Sequence, residues 1–163
     1  MATAHLFLLF CTAVLFIAAL SMAAISDMKT RTVPNLAPLL LLAAGIFHLF
    51  AVSPTPHRLV SALLGTALGG FPLLMMALFR GTVGGGDVKL AASAGFVLGW
   101  LPSYLALMAA LFAFVLYGFF IQPKKDEEKA PSLPFAPFYA AAAFGAFVLP
   151  ILPHLSFIHP PII

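Results

Sequence analysis

The sequence predicts an all-α polytopic membrane protein with six transmembrane helices, the fourth of them short. Of its 163 residues, 63% are hydrophobic, only 8% are charged, and the mean hydropathy is +1.10. A soluble domain typically has about a quarter of its residues charged. The few charged residues here fall in short segments between long apolar runs. We therefore expect a single integral membrane domain over residues 1–163, embedded in a lipid bilayer and without a soluble domain.

Each helix is predicted from an apolar run, since crossing a bilayer takes roughly 20 apolar residues. Residues 2–25 contain no Asp, Glu, Lys or Arg and predict the first span. This run has no basic n-region and is longer than a signal-peptide core, so we expect it to be retained. The uncharged run 90–121 predicts a short fourth helix, a turn at residues 99–103 and a fifth span. The remaining spans are predicted at residues 36–52, 59–79 and 134–153.

The distribution of charge predicts the orientation, because cytoplasmic loops are enriched in Lys and Arg. All but one of the basic residues follow the first, third or fifth span: Lys29, Arg31, Arg80, Lys89, Lys124, Lys125 and Lys129. Only Arg58 falls on the other side, so both termini are expected outside the cytoplasm. A net charge of +3 distributed in this way indicates no nucleic-acid partner.

The acids and the histidines are predicted on opposite sides of the membrane. All five acids fall in the cytoplasmic connections, whereas all five histidines map to the outer half. A Ser/His or His-metal centre on the cytoplasmic face is therefore not expected. On the outer side, His154 and His159 could in principle hold a metal, but two imidazoles near a chain end are more often interfacial residues. The single cysteine, Cys11, excludes a disulfide or a cysteine zinc site within the chain.

Each acid has a structural interpretation of its own. Three of the acids lie between lysines in a segment typical of a solvated loop: Asp126, Glu127 and Glu128. Asp27 is spaced to pair with Arg31 one helical turn later. Asp87 follows three glycines and is placed to cap the fourth helix through its side chain.

A functional interpretation arises when Asp27 and Asp87 are taken together. They mark the same predicted membrane face in a chain with only five acids, and acids at a membrane are costly enough to suggest function. If the first and fourth helices pack side by side, the two carboxylates can share a proton. Such a pair can hydrolyse an amide, one group acting as general base and the other as general acid. Three glycines, Gly84, Gly85 and Gly86, are expected to adopt conformations closed to other residues and to leave room for a substrate backbone.

Two stretches resemble the paired signature of the type IV prepilin leader peptidases, which are membrane aspartic endopeptidases. SDMKTRTVPN, from Ser26 to Asn35, matches a D-x3-R-x-[I/V]-P-N pattern, and GGGDVKL, at residues 84–90, matches G-x-G-D-x-K. A third stretch, LPFAPFYA at residues 133–140, is similar to a P-F-G-P segment of the family, with Ala136 in place of glycine. We treat this third match as peripheral to the acids.

The resemblance implies a role for each matched residue. Asp27 and Asp87 would be the catalytic pair, Gly84 and Gly86 would shape the second motif, and Gly85 would occupy its variable position. The other matched residues would surround the acids: Lys89 as the motif lysine, Arg31 as a neighbour that tunes the first acid, and Pro34 and Asn35 as scaffold. The substrate would be a prepilin-like protein with a short basic leader and a hydrophobic helix, cut at the cytoplasmic face of a bacterial inner membrane.

The resemblance is to the short, peptidase-only members. Larger members have a cytoplasmic segment with paired CxxC cysteines and also methylate the new terminus with S-adenosylmethionine. This chain has one cysteine, so neither zinc nor another cofactor is expected, and methylation is not expected.

Other interpretations remain open at this stage. A proton-coupled transporter or channel would use the same two acids, but it predicts acids near the middle of the membrane, where these spans are apolar. A presenilin-like intramembrane protease would have Tyr-Asp at the first acid, where this chain has Ser26 before Asp27. A passive membrane scaffold would leave the two motifs unexplained.

Overall fold

The computed structural model describes residues 2–52, 55–80, 83–120 and 134–149, and these form six α-helices with no strand. In chain order they are α1 (Ala2–Thr30), α2 (Leu36–Ala51), α3 (Pro56–Arg80), α4 (Gly85–Leu98), α5 (Trp100–Phe120) and α6 (Ala136–Val148). Three helices, α1, α3 and α5, contain apolar stretches long enough to cross a membrane. The other three are shorter, with 16 residues in α2, 14 in α4 and 13 in α6.

Three helices continue beyond the apolar runs that predicted them, α3 by only a few residues, since it covers Pro56–Arg80 rather than 59–79. α1 reaches Thr30 rather than residue 25, and α4 begins at Gly85 rather than at residue 90. Hydropathy marks the part of a helix that suits lipid, whereas a helix continues in water as long as its backbone hydrogen bonds do. Both candidate acids consequently lie within helices, Asp27 in the last turn of α1 and Asp87 in the first turn of α4.

The predicted break between the fourth and fifth helices is confirmed, although it is a single residue rather than a five-residue turn. Gly99 has φ +79°, a left-handed conformation that glycine adopts without steric cost. A Cβ atom at this position would also lie 2.7 Å from Oγ of Ser61. Pro102 is accommodated within the first turn of α5, because N–H groups there have no acceptor within the helix and proline lacks only that group.

A seam of small residues holds α4 against α3. Gly65 and Gly69 of α3 face the backbone of Gly95 and Ala91 of α4, and a Cβ atom at Gly69 would come within 2.5 Å of the Ala91 carbonyl oxygen. Such close backbone approach is typical of helix pairs in membranes. Ser103 of α5 donates a hydrogen bond to the Gly65 carbonyl oxygen at 3.0 Å, which attaches α5 to the same seam.

Two helices, α2 and α6, pack against both α1 and α4. α1 packs mainly on α2 and α6, and α4 packs on α2, α3, α5 and α6, whereas α1 and α4 share no extended interface. The expectation that the first and fourth helices pack side by side is therefore wrong. On the α6 side, Tyr139 is fully buried and donates a hydrogen bond to the Ala91 carbonyl oxygen at 3.3 Å, while Phe147 stacks on Phe16 with ring centroids 4.7 Å apart.

The outer surface of the bundle is strongly apolar. Large side chains such as Phe79, Phe119 and Leu78 are exposed over 82%, 81% and 70% of their areas. A soluble monomer rarely exposes so much contiguous apolar surface, so this exterior is suited to lipid. The charged loop of Lys124, Lys125, Asp126, Glu127, Glu128 and Lys129, the pair His154 and His159, and the last residues of the predicted sixth span lie outside the described residues.

Candidate active site

Asp27 is held by the start of another helix. It is 6% exposed, and its Oδ2 accepts a hydrogen bond of 2.9 Å from the backbone N–H of Ala136, the first residue of α6. The first N–H groups of a helix have no intrahelical acceptor, so this carboxylate satisfies one of them. A side chain near the end of α1 is thereby attached to a residue 109 positions away in the sequence.

Arg31 ends α1 through its backbone. Its φ is +56°, the only positive φ among the described non-glycine residues, and its N–H donates to the Asp27 carbonyl oxygen at 3.1 Å. This is the left-handed residue that commonly follows the last helical turn, a position usually taken by glycine. Its side chain is exposed, and within the described part of the chain the Asp27 carboxylate bonds to Ala136 and forms no ion pair with Arg31. The local Asp27–Arg31 pair predicted from spacing is thus not what positions Asp27.

The segment after α1 is folded back by three hydroxyl groups. Ser26 Oγ donates a 2.9 Å hydrogen bond to the Thr32 carbonyl oxygen, and the hydroxyls of Thr30 and Thr32 lie 2.9 Å apart. Pro34 then starts the next turn, its carbonyl oxygen accepting the N–H of Ala37 at 3.0 Å. The residues that follow Asp27 in the first motif are in this way turned toward α4.

Asp87 lies in the first turn of α4, outside the three candidate membrane spans. The helix N-cap is Gly84, and the predicted side-chain cap by Asp87 is not formed. Instead, the Asp87 Oδ1 atom is buried without a hydrogen-bond partner among the described residues. Burial and then the neighbouring Asp27 carboxylate raise the pKa of Asp87 to about 6, and the backbone of Gly84 offsets part of this effect. The two acids are thus neighbours, and their pairing as a catalytic dyad stays a prediction.

The three glycines matter for the room they leave around the site rather than for unusual backbone conformations. Gly84 has φ −70° and ψ 144°, and no described residue of the run has a positive φ, so the expectation of conformations closed to other residues is wrong. A Cβ atom at Gly86 would lie 2.9 Å from the Cβ of Val33, whereas one at Gly85 would meet nothing within 4 Å. Close packing therefore explains glycine at position 86, while position 85 is open.

The two motifs contact each other at a second point. Lys89 Nζ donates to Oδ1 of Asn35 at 3.4 Å, and both side chains are exposed. With the Gly86–Val33 contact, this hydrogen bond attaches the start of α4 to the segment between α1 and α2. Val33 was not singled out from the sequence, although it occupies the aliphatic position of the first motif.

The main feature that sequence reasoning missed is the N-terminus of α6. The stretch at residues 133–140 was expected to be peripheral to the acids, yet Ala136 bonds directly to Asp27. The interaction uses a backbone N–H, so the identity of the side chain gives little signal. Proline at 134 and 137 indicated a helix start, and a helix start supplies unpaired N–H groups to any nearby carboxylate.

The ionisable residues of the far end do not enter this site. His5 Nδ1 lies 2.8 Å from the carbonyl oxygen of Ala51, at the end of α1 opposite to Asp27, and His48 lies in the last turn of α2. Across the described ranges, no group of three His, Cys, Asp or Glu side chains is placed to hold a metal ion. Around the two acids, the described part of the chain supplies a backbone donor from Ala136 to Asp27 and no hydrogen-bond partner for Asp87 Oδ1.

Comparison with known proteins identifies the family. The model of the type IV leader peptidase family matches residues 14–120, which contain both Asp27 and Asp87. The chain belongs to the type IV leader peptidase family. This confirms the resemblance carried by the two motifs; α6, with Ala136, falls outside the matched range.

One similar protein is the prepilin leader peptidase/N-methyltransferase of Bacillus subtilis (strain 168). It is 34% identical over 149 residues, which cover 83% of this chain and 54% of that protein. The chain thus spans about half the length of this relative. No solved structure matches the chain significantly.

Proposed function

We propose that this protein is a membrane aspartic endopeptidase that removes the short basic leader from type IV prepilin-like substrates. The observation that carries the proposal is the proximity of Asp27 and Asp87, which come from two separate motifs; burial, and then the charge of Asp27, raise the pKa of Asp87. Raised and unequal carboxyl pKa values are the property that lets two acids divide acid and base roles near neutral pH. Membership of a peptidase family supports the same chemistry.

The proposed reaction uses one ionised and one protonated carboxyl group. The ionised group takes a proton from water while the water oxygen forms a bond to the scissile carbonyl carbon, and the protonated group gives its proton to the carbonyl oxygen. In the second half, the first carboxyl passes its new proton to the amide nitrogen and the C–N bond breaks. The hydroxyl proton of the tetrahedral intermediate returns to the second carboxylate. One water is consumed, and both groups regain their starting states.

The proposal includes a location at the cytoplasmic face of a bacterial inner membrane, with six helices in the bilayer and both termini outside the cytoplasm. The positive-inside rule supports it, because Lys29, Arg31 and Lys89 lie at the same end of the bundle as the two acids. The apolar exterior and the three long helices support a membrane location. A basic leader on the cytoplasmic side, followed by a hydrophobic helix, would bring its scissile bond to this end.

The proposal covers peptide cleavage alone. The relative from Bacillus subtilis carries two activities in its name, and the chain spans about half of it. Cleavage needs the two carboxylates, and both lie within the segment that matches the family.

The test is co-expression with a tagged prepilin from the same genome, followed by the loss of the leader on a gel. We expect the parent to cleave and both Asp27→Asn and Asp87→Asn to fail while accumulating in membranes. Asp126→Asn serves as a matched control, since it makes the same chemical change in the charged loop. Full activity in either dyad variant contradicts the mechanism. If the parent leaves every prepilin of the genome uncut while proton flux depends on both acids, the transporter interpretation replaces it.

A further inference from the structure

The N-terminus of α6 lies against only one of the two carboxylates. Ala136, the first residue of the helix, has no exposed area, and its N–H donates to Asp27 Oδ2 at 2.9 Å within the buried part of the bundle. Asp87 is placed differently: its Oδ1 is buried with no hydrogen-bond partner among the described residues, and the Gly84 backbone offsets only part of the rise in its pKa. The pair is thus asymmetric in its surroundings.

This asymmetry has a direct electrostatic consequence. A hydrogen bond to a carboxylate favours its ionised form, and the effect is larger where water is excluded. Each acid also lies at a helix N-terminus, Asp27 against that of α6 and Asp87 in the first turn of α4, so the partial positive charges of the helix ends do not distinguish the two groups. A buried carboxylate oxygen without a partner has the opposite preference, since the unpaired charge keeps its full desolvation cost. When two such groups hold one proton between them, the proton goes to the group without the donor.

We propose that Ala136 is a positioning residue whose backbone N–H keeps Asp27 ionised, so that Asp27 is the general base and Asp87 carries the proton as general acid. This assignment rests on the proposed function, because it divides the roles of the same dyad. It also gives the α6 N-terminus, which lies outside the segment matching the family, a part in the reaction.

The other described ionisable groups around the pair do not oppose this assignment. Lys29 and Arg31 of α1 are exposed, and Lys89 of α4 donates to Asn35. The hydroxyl of Tyr139 in α6 donates a hydrogen bond to the Ala91 carbonyl oxygen rather than to either acid. On α2 and α3, His48, His57 and Arg58 lie at the other end of the helices, and the side chain of Arg80 falls outside the described part of the structure. The neighbouring charge that acts on Asp87 is that of Asp27.

The geometry also selects the oxygen atom that acts on water. Asp27 Oδ2 is engaged by Ala136, and Oδ1 accepts none of the hydrogen bonds formed by the described residues. Oδ1 is therefore the atom that takes the proton from water. The Ala136 N–H holds Oδ2 in place and leaves Oδ1 as the oxygen available to water.

The first test removes the N–H of residue 136. Ala136→Pro deletes this donor at the first position of a helix, where proline is well tolerated, and Ala136→Gly is the matched control that keeps it. We would measure kcat/KM against pH for a prepilin in lipid nanodiscs, after checking thermal unfolding. The acidic limb should move to higher pH in Ala136→Pro by about one unit, a tenfold loss of activity on that limb, and stay in place in Ala136→Gly. A folded Ala136→Pro variant with an unmoved limb overturns the proposal.

Proline at position 136 also disfavours the helical conformation of Phe135. The second test therefore leaves position 136 unchanged. Infrared spectra of the membrane protein at about pH 5, close to the middle of the carboxyl range, should contain a protonated-carboxyl band. We expect Asp87→Asn to remove that band and Asp27→Asn to retain it. The reverse pattern overturns the assignment. Since this measurement involves no cleavage, it locates the proton even if the parent cuts no prepilin, an outcome that would count against the proposed function alone.

Discussion

Gly86 of α4 lies directly against Val33, so that a Cβ atom at position 86 would be 2.9 Å from the Cβ of Val33. The contact brings the second motif onto the first and thereby sets the position of Asp87 relative to Asp27. It depends on the absence of a side chain, because Val is β-branched and has few alternative rotamers.

The Gly86–Val33 contact predicts that Gly86→Ala reduces cleavage much more than Gly85→Ala. The added methyl at 86 must push α4 away from Val33, and a misplacement of about 1 Å at the proposed dyad costs on the order of 100-fold in rate. The methyl at 85 meets nothing within 4 Å. Leader removal by the two variants, at matched membrane levels, checks this. Equal losses would mean that the glycine run serves substrate access rather than the packing of α4.

The hydrogen bond from Lys89 to Asn35 predicts a coupled pair. Lys89→Met and Asn35→Ala should each reduce kcat/KM by about twofold to fivefold, because an exposed hydrogen bond of this kind contributes roughly 0.5–1 kcal/mol. The double variant should be no worse than the more impaired single variant. Additive losses in this double-mutant cycle would instead assign the two side chains to separate contacts.

The raised pKa of Asp87 predicts a pH-dependent gain in stability for Asp87→Asn. The folded state holds this proton more tightly than the unfolded chain, so parent stability is lost as pH rises from the ordinary value of 3.8 through about 6. Asn carries no charge, so the Tm of the variant should exceed that of the parent above about pH 6 and approach it at the acidic end of this window. Thermal unfolding in detergent across this range checks the sign, with Asp126→Asn as control. A gain of equal size at every pH would show that ionisation of Asp87 is not its cause.

The left-handed conformation of Arg31 predicts that Arg31→Gly stabilises the protein. Glycine adopts φ +56° without the steric cost that arginine carries, a difference of up to about 1 kcal/mol. Arg31→Ala is the matched control, since it removes the same charge but leaves a Cβ atom. A higher Tm in Arg31→Gly than in Arg31→Ala supports the backbone role. Equal losses of stability in both variants would point to an interaction of the guanidinium group.

The sequence was sufficient for the helices and for the two acids, because both leave strong local patterns. Apolar runs predicted six helices, and Asp27 and Asp87 stand out in a chain with five acids. Helix ends were less accessible, since hydropathy does not report where backbone hydrogen bonds stop. The bond from Ala136 to Asp27 was not accessible at all, because every residue but proline offers the same N–H. The role of the glycines could not be predicted either, because three consecutive glycines in a sequence fit a turn as well as a close packing contact.

The short length of α4 creates a mismatch with the thickness of a lipid bilayer. With 14 residues, the helix is about 21 Å long, whereas the hydrocarbon layer of a typical bilayer is about 30 Å thick. Little lipid reaches this helix, however, because α2, α3, α5 and α6 surround it and no residue from 90 to 98 is exposed. In the membrane location proposed above, we expect the longer α3 and α5 to take up the mismatch, so that the bilayer around the protein need not thin beside α4.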